Sequence, residues 1–354
     1  MFHNDNIKFL QSKLFVRIFT YPLSILYTFI VHVRNYLYKI GCIKSYSLPG
    51  TCISVGNLAA GGTGKTPIII ELTSILLKKS KTPVILSRGY KSGISAKSIA
   101  LIKDGRIIQT KNILGKVVPD EALMLSKRLP QVDIIVSPDR YQAALWYLNN
   151  HNKKKVTHWL LDDGYQHLKI KRDLNIVLID ASSSTQENVL PYGLLRESYK
   201  NLNRADSILF TRCRTNDNVD SLKNRIKEIK KLSFYKVQFI NDWPVHISSK
   251  QVIQHKHMPA LLICGIAQPL ALKENLENIG IEIKQCIALS DHQEITWEHI
   301  NKKTSGYQSL ITTEKDYWRN PIVFKQCNLP VYISRLKLKT DLQPLLRQHY
   351  IITN

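Results

Sequence analysis

The sequence predicts an α/β protein: a P-loop NTPase-like parallel-sheet domain, then a smaller Rossmann-like α/β domain, with a membrane-interface helix ahead of both. Three observations carry this reading. A short apolar strand, Cys52-Ile53-Ser54-Val55, runs into a glycine-rich loop and then a helix. Apolar runs of strand length alternate with segments of helical spacing along the rest of the chain. Near the N-terminus, the sixteen residues from Ile18 to Val33 contain no Asp, Glu, Lys or Arg.

The chain has 354 residues, enough for two domains and an appendage. Fifty basic against 27 acidic residues leave a net charge of +23, which favours an anionic partner: nucleic acid, an acidic membrane surface or a phosphorylated substrate. The six cysteines form no CxxC pair and have no metal-ligand spacing, which reads as reduced thiols. Expected boundaries are residues 1–45 for the N-terminal helix and 46–232 for the P-loop domain. An extended, polar connector follows over 233–258, and the second domain covers 259–354.

The N-terminal stretch carries Phe15, Phe19, Tyr21, Tyr27, Phe29, Tyr36 and Tyr38, with six Lys/Arg and one acid among residues 1 to 50. A spanning helix needs about 20 apolar residues; this run is shorter and holds Pro22 and His32. No small-residue cleavage site follows it. The pattern suits a helix lying in a membrane interface, the alternative being an aromatic helix packed on the protein's own core.

The loop after the first strand ends Ala59-Ala60-Gly61-Gly62-Thr63-Gly64-Lys65-Thr66. Glycines let the backbone turn several N–H groups on one anion. Lys65 adds a point charge, and the Thr66 hydroxyl suits Mg²⁺. A helix from about Lys65 aims its positive end at the same place, with Pro67 tolerated in the first turn. The strict GxxxxGK[ST] spacing asks for glycine where this chain has Ala59. A glycine-rich turn with a chance GKT is the bland reading, and the strand–loop–helix order argues against it.

Next, Val84-Ile85-Leu86-Ser87 reads as a strand delivering Arg88 to the sheet edge where ligands bind, though a loop arginine is more often merely solvated. Asp120 opens a helix over Glu121 to Lys127, where a cap is its commonest role. Asp133 to Val136 is a strand, and Asp139 caps a helix to Asn149. The strand Trp159-Leu160-Leu161 ends in Asp162-Asp163, two acids that repel unless a cation lies between them. Strands at Leu174 to Ile179 and Ser207 to Phe210 flank a polar loop, Leu190 to Glu197. A charged helix covers Asn216 to Lys231. In the second domain, strands at Leu261 to Cys264, Ile281 to Leu289, Ser309 to Thr312 and Val331 to Leu338 alternate with helices at Leu270 to Leu276 and near Trp297. Their ends present Asp291-His292 and Thr313 to Asp316; a loop histidine is usually inert, but this one follows an acid at the sheet edge.

Taken together these segments resemble the tetraacyldisaccharide 4′-kinase (lipid A 4′-kinase) family. The resemblance rests on Ser54-Val55-Gly56-Asn57 with Gly61 to Pro67, Leu86-Ser87-Arg88-Gly89-Tyr90, Asp120-Glu121, Asp162-Asp163-Gly164-Tyr165-Gln166-His167, Leu195-Arg196-Glu197, Ser290-Asp291-His292, and Thr312-Thr313-Glu314-Lys315-Asp316. Gln293 and Gln268 depart from the family pattern. The resemblance implies transfer of the ATP γ-phosphate to the 4′-hydroxyl of a lipid A disaccharide 1-phosphate. It implies that Lys65 and the loop amides hold the phosphates and that Thr66, Asp162 and Asp163 arrange Mg²⁺. Asp120 would take the hydroxyl proton, supported by His292. The expected partners are that substrate and the cytoplasmic face of the bacterial inner membrane, with no nucleic acid and the chain a monomer. Two other readings stand beside it. One is a P-loop GTPase, since Thr313-Glu314-Lys315-Asp316 is near a guanine-reading [NT]KxD pattern, its lysine one place late. The other is a non-catalytic ATP-dependent scaffold binding nucleic acid, against which no recognition motif is present.

Overall fold

The computed structural model describes residues 14–89, 95, 97–113, 120–151, 155–183, 188–213, 216–227, 232–253, 259–266, 268–290, 293–301 and 306–352. Tyr90, Asp291 and His292 lie outside them. The chain divides into two units, one of residues 11–238 and 338–354, the other of residues 1–10 and 239–337.

The first unit opens with α1 (Leu14–Lys39) and β1 (Thr51–Asn57). Then come α2 (Lys65–Lys78), β2 (Pro83–Ser87), β3 (Ile99–Lys103) and β4 (Arg106–Lys111). After them run α3 (Asp120–Arg128), β5 (Asp133–Val136), α4 (Arg140–Asn150), β6 (His158–Asp162) and β7 (Leu174–Asp180). The last elements before the crossing are β8 (Ser207–Thr211), α5 (Asn216–Lys227) and β9 (Ser233–Lys236). The nine strands form one sheet in the order β4-β3-β5-β2-β6-β1-β7-β8-β9. From β5 to β9 every pairing is parallel. Strands buried on both faces need near-continuous apolar runs, and PVILS, DIIV, HWLLD and SILFT supply them. The edge departs from the expected all-parallel pattern. β3 runs antiparallel to both β5 and β4, and the β3–β4 turn is Asp104-Gly105, each with positive φ. Asp-Gly between apolar runs is a hairpin signal.

On one face of the sheet, α4 buries Ala143, Ala144 and Tyr147 against Leu86, Ile135, Trp159 and Leu161. Asp139 caps that helix as expected, its carboxylate accepting from the Gln142 amide at 3.2 Å. At the β7–β8 end, Tyr165, Val177, Leu195, Phe210 and Val219 pack together, and Tyr27 of α1 rests on this cluster. The rest of the docked stripe of α1 is largely polar. Ser24 and Val31 are buried and Thr20, Thr28, Arg34 and Asn35 half-buried, at spacings that share one face. The Ser24 hydroxyl donates to the Val189 carbonyl at 2.7 Å. The opposite face exposes Ile18, Leu26, Phe29, Ile30 and Val33, with Phe29 64% exposed. Among the described residues, no helix is long and apolar enough to cross a membrane.

The second unit holds β10 (Phe239–His246), β11 (Ala260–Cys264), α6 (Pro269–Asn278), β12 (Ile283–Ala288) and α7 (Trp297–Asn301). β13 (Ser309–Thr313), α8 (Glu314–Arg319), α9 (Pro321–Lys325) and β14 (Val331–Leu338) follow. Its sheet runs β10-β14-β13-β11-β12. The expected connector over 233–258 is therefore built into the two units: β9 closes the first sheet and β10 starts the second. The last helix, α10 (Gln343–Gln348), belongs to the first unit. The boundary 259–354 thus gives way to one at 337, because the Ser207 hydroxyl bonds His349 Nε2 at 2.7 Å and the Lys339 amide donates to the Gln238 carbonyl at 2.9 Å.

Two stability predictions follow from buried charge. Asp316 is 1% exposed and accepts from the Gly265 amide, the Thr313 hydroxyl and Arg319. Its replacement by alanine removes the acceptor of the Gly265 amide and the buried carboxylate that Arg319 meets, and should cost about 3 kcal/mol in urea unfolding; a loss under about 1 kcal/mol would contradict this role. His167 is the second case. Burial, reinforced by the Arg140 charge, pushes its imidazole down to about 3. An unfolded histidine titrates at about 6.5, so between those values the unfolded chain binds more protons and stability falls as pH is lowered. The melting-temperature advantage of the wild type over His167→Gln, read first in mild alkali, should shrink as pH drops through that window. A gap independent of pH would refute it.

Candidate functional site

The loop between β1 and α2 has two parts. Its outer rim pairs like a strand with the loop before the Tyr199–Arg204 turn. The Ala60 amide donates to the Leu194 carbonyl at 2.7 Å and the Arg196 amide to the Leu58 carbonyl at 2.6 Å, with Ala59 opposite Leu195. Position 59 therefore needs no glycine, which accounts for the departure from the strict spacing. The inner part, Gly61 to Thr66, bends sharply: Gly61 has φ 122°, and Gly64, in the left-handed region at φ 86°, is the N-cap of α2. Arg212, after β8, donates to the Gly62 carbonyl at 2.8 Å and pairs with Asp180 at 2.6 Å, holding the bend from outside.

Lys65 opens α2 and turns its ammonium back under the loop, 3.3 Å from Asn57 Oδ1 and 3.4 Å from Asp163 Oδ1. Asn57 in turn donates to the Ala59 carbonyl at 2.6 Å. The acids arrive beside it because β6 lies parallel to β1 with Asp162 opposite Val55. Asp163 takes a left-handed turn at φ 50°. The Arg140 guanidinium, itself buried, locks that turn by donating to the Asp162 carbonyl at 3.0 Å and the Asp163 carbonyl at 3.1 and 3.2 Å.

The two acids have opposite electrostatics. Burial, with repulsion from Asp163 and Glu121, pushes Asp162 up to about 6. Burial opposes the charge on Asp163 too, but Lys65 and Arg196 outweigh it and bring that carboxyl down to about 2. Asp162 accepts from the Ser87 hydroxyl at 3.3 Å, and Asp163 Oδ2 from Arg196 at 2.8 Å. Neighbouring acids driven apart in this way mark a site built for charge handling.

Of the sequence-predicted residues, the first unit thus gathers the Gly61–Thr66 bend, Lys65, Asp162 and Asp163. Thr66 is half-buried in the first turn of α2. Arg88 is exposed just past β2. Asp120 is the first residue of α3, its Oδ1 accepting from the Glu121 amide at 2.9 Å. The first turn of α3 reaches the site, since the Glu121 charge acts on Asp162. His292 lies outside the described residues. Asn57, Arg140 and Arg196 complete the site without having been singled out for a role in it. The alternative guanine-reading motif loses its key residue, because Asp316 is buried within the second unit, its carboxylate accepting from the Gly265 amide and its own amide donating to the Thr313 cap.

Comparison with known proteins bears on the chain as a whole. The family model described as tetraacyldisaccharide-1-P 4′-kinase matches residues 16–350. A tetraacyldisaccharide 4′-kinase of Desulfotalea psychrophila is 34% identical, over 92% of this chain and 94% of that one. One from Bdellovibrio bacteriovorus is 30% identical, over 85% and 88%. The crystal structure of LpxK from Aquifex aeolicus in complex with ATP is 28% identical, with a TM-score of 0.73, and covers 97% of this chain and 98% of that chain. With a loop, a lysine and an acid pair assembled in one unit, and relatives matched along nearly its whole length, this chain belongs to the tetraacyldisaccharide-1-P 4′-kinase family.

Proposed function

We propose that this chain transfers the γ-phosphoryl group of ATP to the 4′-hydroxyl of a tetraacyldisaccharide 1-phosphate, a lipid A precursor, giving lipid IVA. The observation that carries the reading is the Lys65–Asp163–Arg196 cluster at the foot of the Gly61–Thr66 bend, in a chain whose relatives bear that name. Phosphoryl transfer asks mainly for positioning and charge neutralisation. The amides from Gly61 to Thr66 and the N-terminus of α2 hold the β- and γ-phosphates. Lys65 exchanges Asn57 and Asp163 for phosphate oxygens, and Arg88 meets charge at the sheet edge.

Mg²⁺ fits the donor set. Asp162, Asp163 and the Thr66 hydroxyl are hard oxygen ligands, and Asp163 Oδ1 is buried without a hydrogen bond. When bound, Mg²⁺ neutralises charge on the β- and γ-phosphate oxygens. The acceptor oxygen bonds to the γ-phosphorus as the bond to the ADP oxygen breaks. Asp120 takes the hydroxyl proton as general base. The apolar outward face of α1 lies in the interface of the cytoplasmic leaflet, where the substrate's acyl chains reside and the basic chain meets anionic headgroups.

Lys65→Ala should lower turnover of ATP with an acylated glucosamine disaccharide 1-phosphate at least about a hundredfold while leaving far-ultraviolet circular dichroism unchanged. Turnover close to the wild type would remove the loop from the reaction. A second test addresses α1. Leu26→Gln/Phe29→Gln/Ile30→Gln alters only outward side chains, so stability should move by about 0.5 kcal/mol or less. Co-sedimentation with anionic vesicles should fall sharply, and salt should weaken binding of the unaltered chain. Undiminished sedimentation of the triple variant would place the membrane contact elsewhere.

A further inference from the structure

The polar stripe of α1 does more than attach the helix. Its Arg34 and Asn35 reach Glu197, which is 1% exposed. Arg34 Nη2 lies 3.5 Å from Oε1, and Asn35 Nδ2 donates to Oε2 at 3.0 Å. Arg204 Nη2 reaches Oε2 at 2.5 Å. A carboxylate so buried is held by donors from separate segments, and its place is over-determined. The next residue back in the chain is Arg196. Its amide is tied to Leu58 at the rim of the phosphate loop, and its guanidinium to Asp163. One peptide unit therefore separates the group gripped by α1 from the group that holds a site acid.

A second strand of contacts runs parallel to the first. Asn35 Nδ2 also donates to Asn201 Oδ1 at 3.2 Å. The Asn201 carbonyl accepts from the Tyr165 hydroxyl, and the Arg204 guanidinium sits 4.7 Å over the Tyr165 ring. Tyr165 in turn lies so close to Gly56 that a Cβ there would be 2.6 Å from its own. The first route begins at Arg34 and Asn35 and ends at Asp163; the second begins at Asn35 and ends at Gly56 of β1, just before the loop.

We propose that Arg34 and Asn35 are positioning residues for phosphoryl transfer. They act through Glu197 and Arg196 on Asp163, so that the seating of α1 sets the geometry of the nucleotide site. The competing account makes Glu197 a simple anchor for the helix, with no bearing on the site. The proposal rests on the reading of Asp163 as part of the transfer site.

The test is a double-mutant cycle in the full chain, assayed in detergent micelles with ATP and the acylated disaccharide 1-phosphate, with kcat, KM and melting temperature recorded. Arg34→Met/Asn35→Leu should lower kcat about tenfold with little change in KM for the lipid. In an Arg196→Met background the same pair should cost clearly less than tenfold, because the route through Glu197 and Arg196 is already cut and only the contacts through Asn201 and Tyr165 remain. Asn35→Gln, which keeps an amide donor, should recover most of the loss seen in Asn35→Ala. If Arg34→Met/Asn35→Leu fails to fold, Asn35→Ala alone carries the cycle, since Arg34 and Arg204 still pair with Glu197. Additive losses, or a lowered melting temperature with unchanged kcat, overturn the coupling. Asp163→Asn separates the two failures. Undiminished turnover in that variant removes the reading of the site and the proposal with it, whereas an inactive Asp163→Asn beside an additive cycle removes the proposal alone.

Discussion

The parallel pairing of β1 with β6 is the constraint on which the site depends. It sets Asp162 opposite Val55, two residues before β1 ends at Asn57 and the loop begins. The turn that follows is wedged tightly against β1. The Gly164 amide donates to the Val55 carbonyl at 3.1 Å, and a Cβ at Gly164 would lie 2.6 Å from both Leu161 Cβ and Ser54 Oγ. A one-residue slip of β6 would carry the acids away from Lys65 and turn every buried side chain of HWLLD to the other face. Register, here, is chemistry.

Charge accumulates around that pairing in a particular order. Two acids at one strand end are unfavourable together, and the fold surrounds them with Lys65, Arg140 and Arg196. Arg140 spends its donors on backbone carbonyls and therefore fixes shape; burial pushes its guanidinium down to about 10. Lys65 and Arg196 engage the Asp163 carboxylate and fix its charge. The division leaves Asp162 as the acid whose ionisation is least favourable, and so the one that gains most from a nearby cation.

How much of this was legible in the sequence depended on the range of the contact. The glycine-rich bend after β1, the Asp139 cap and the parallel strands are local patterns of a few residues, and each appears where expected. The β3–β4 hairpin was also written locally, in Asp104-Gly105 between apolar runs, but the strand–helix alternation around it drew attention to a wholly parallel sheet. Glu197 read simply as part of a polar loop between two strands. Its partners on α1, Arg34 and Asn35, are more than 160 residues away, at separations of 163 and 162, and no periodicity connects positions so distant. The same holds for Arg140, whose targets are the backbone carbonyls of Asp162 and Asp163, groups that any residue type would have supplied.

The return of residues 338–352 to the first unit bears on how the protein is made. During synthesis, the ribosome releases the phosphate-loop sheet first, the second unit next, and the segment that completes the first unit last. Ser207 and Tyr235 wait for His349 and Gln348, their side-chain partners. Vectorial folding, domain after domain from the N-terminus, cannot finish the first unit before the second has emerged. A fragment cut after β9 would be born without its closing helix, leaving part of its own interior open to solvent.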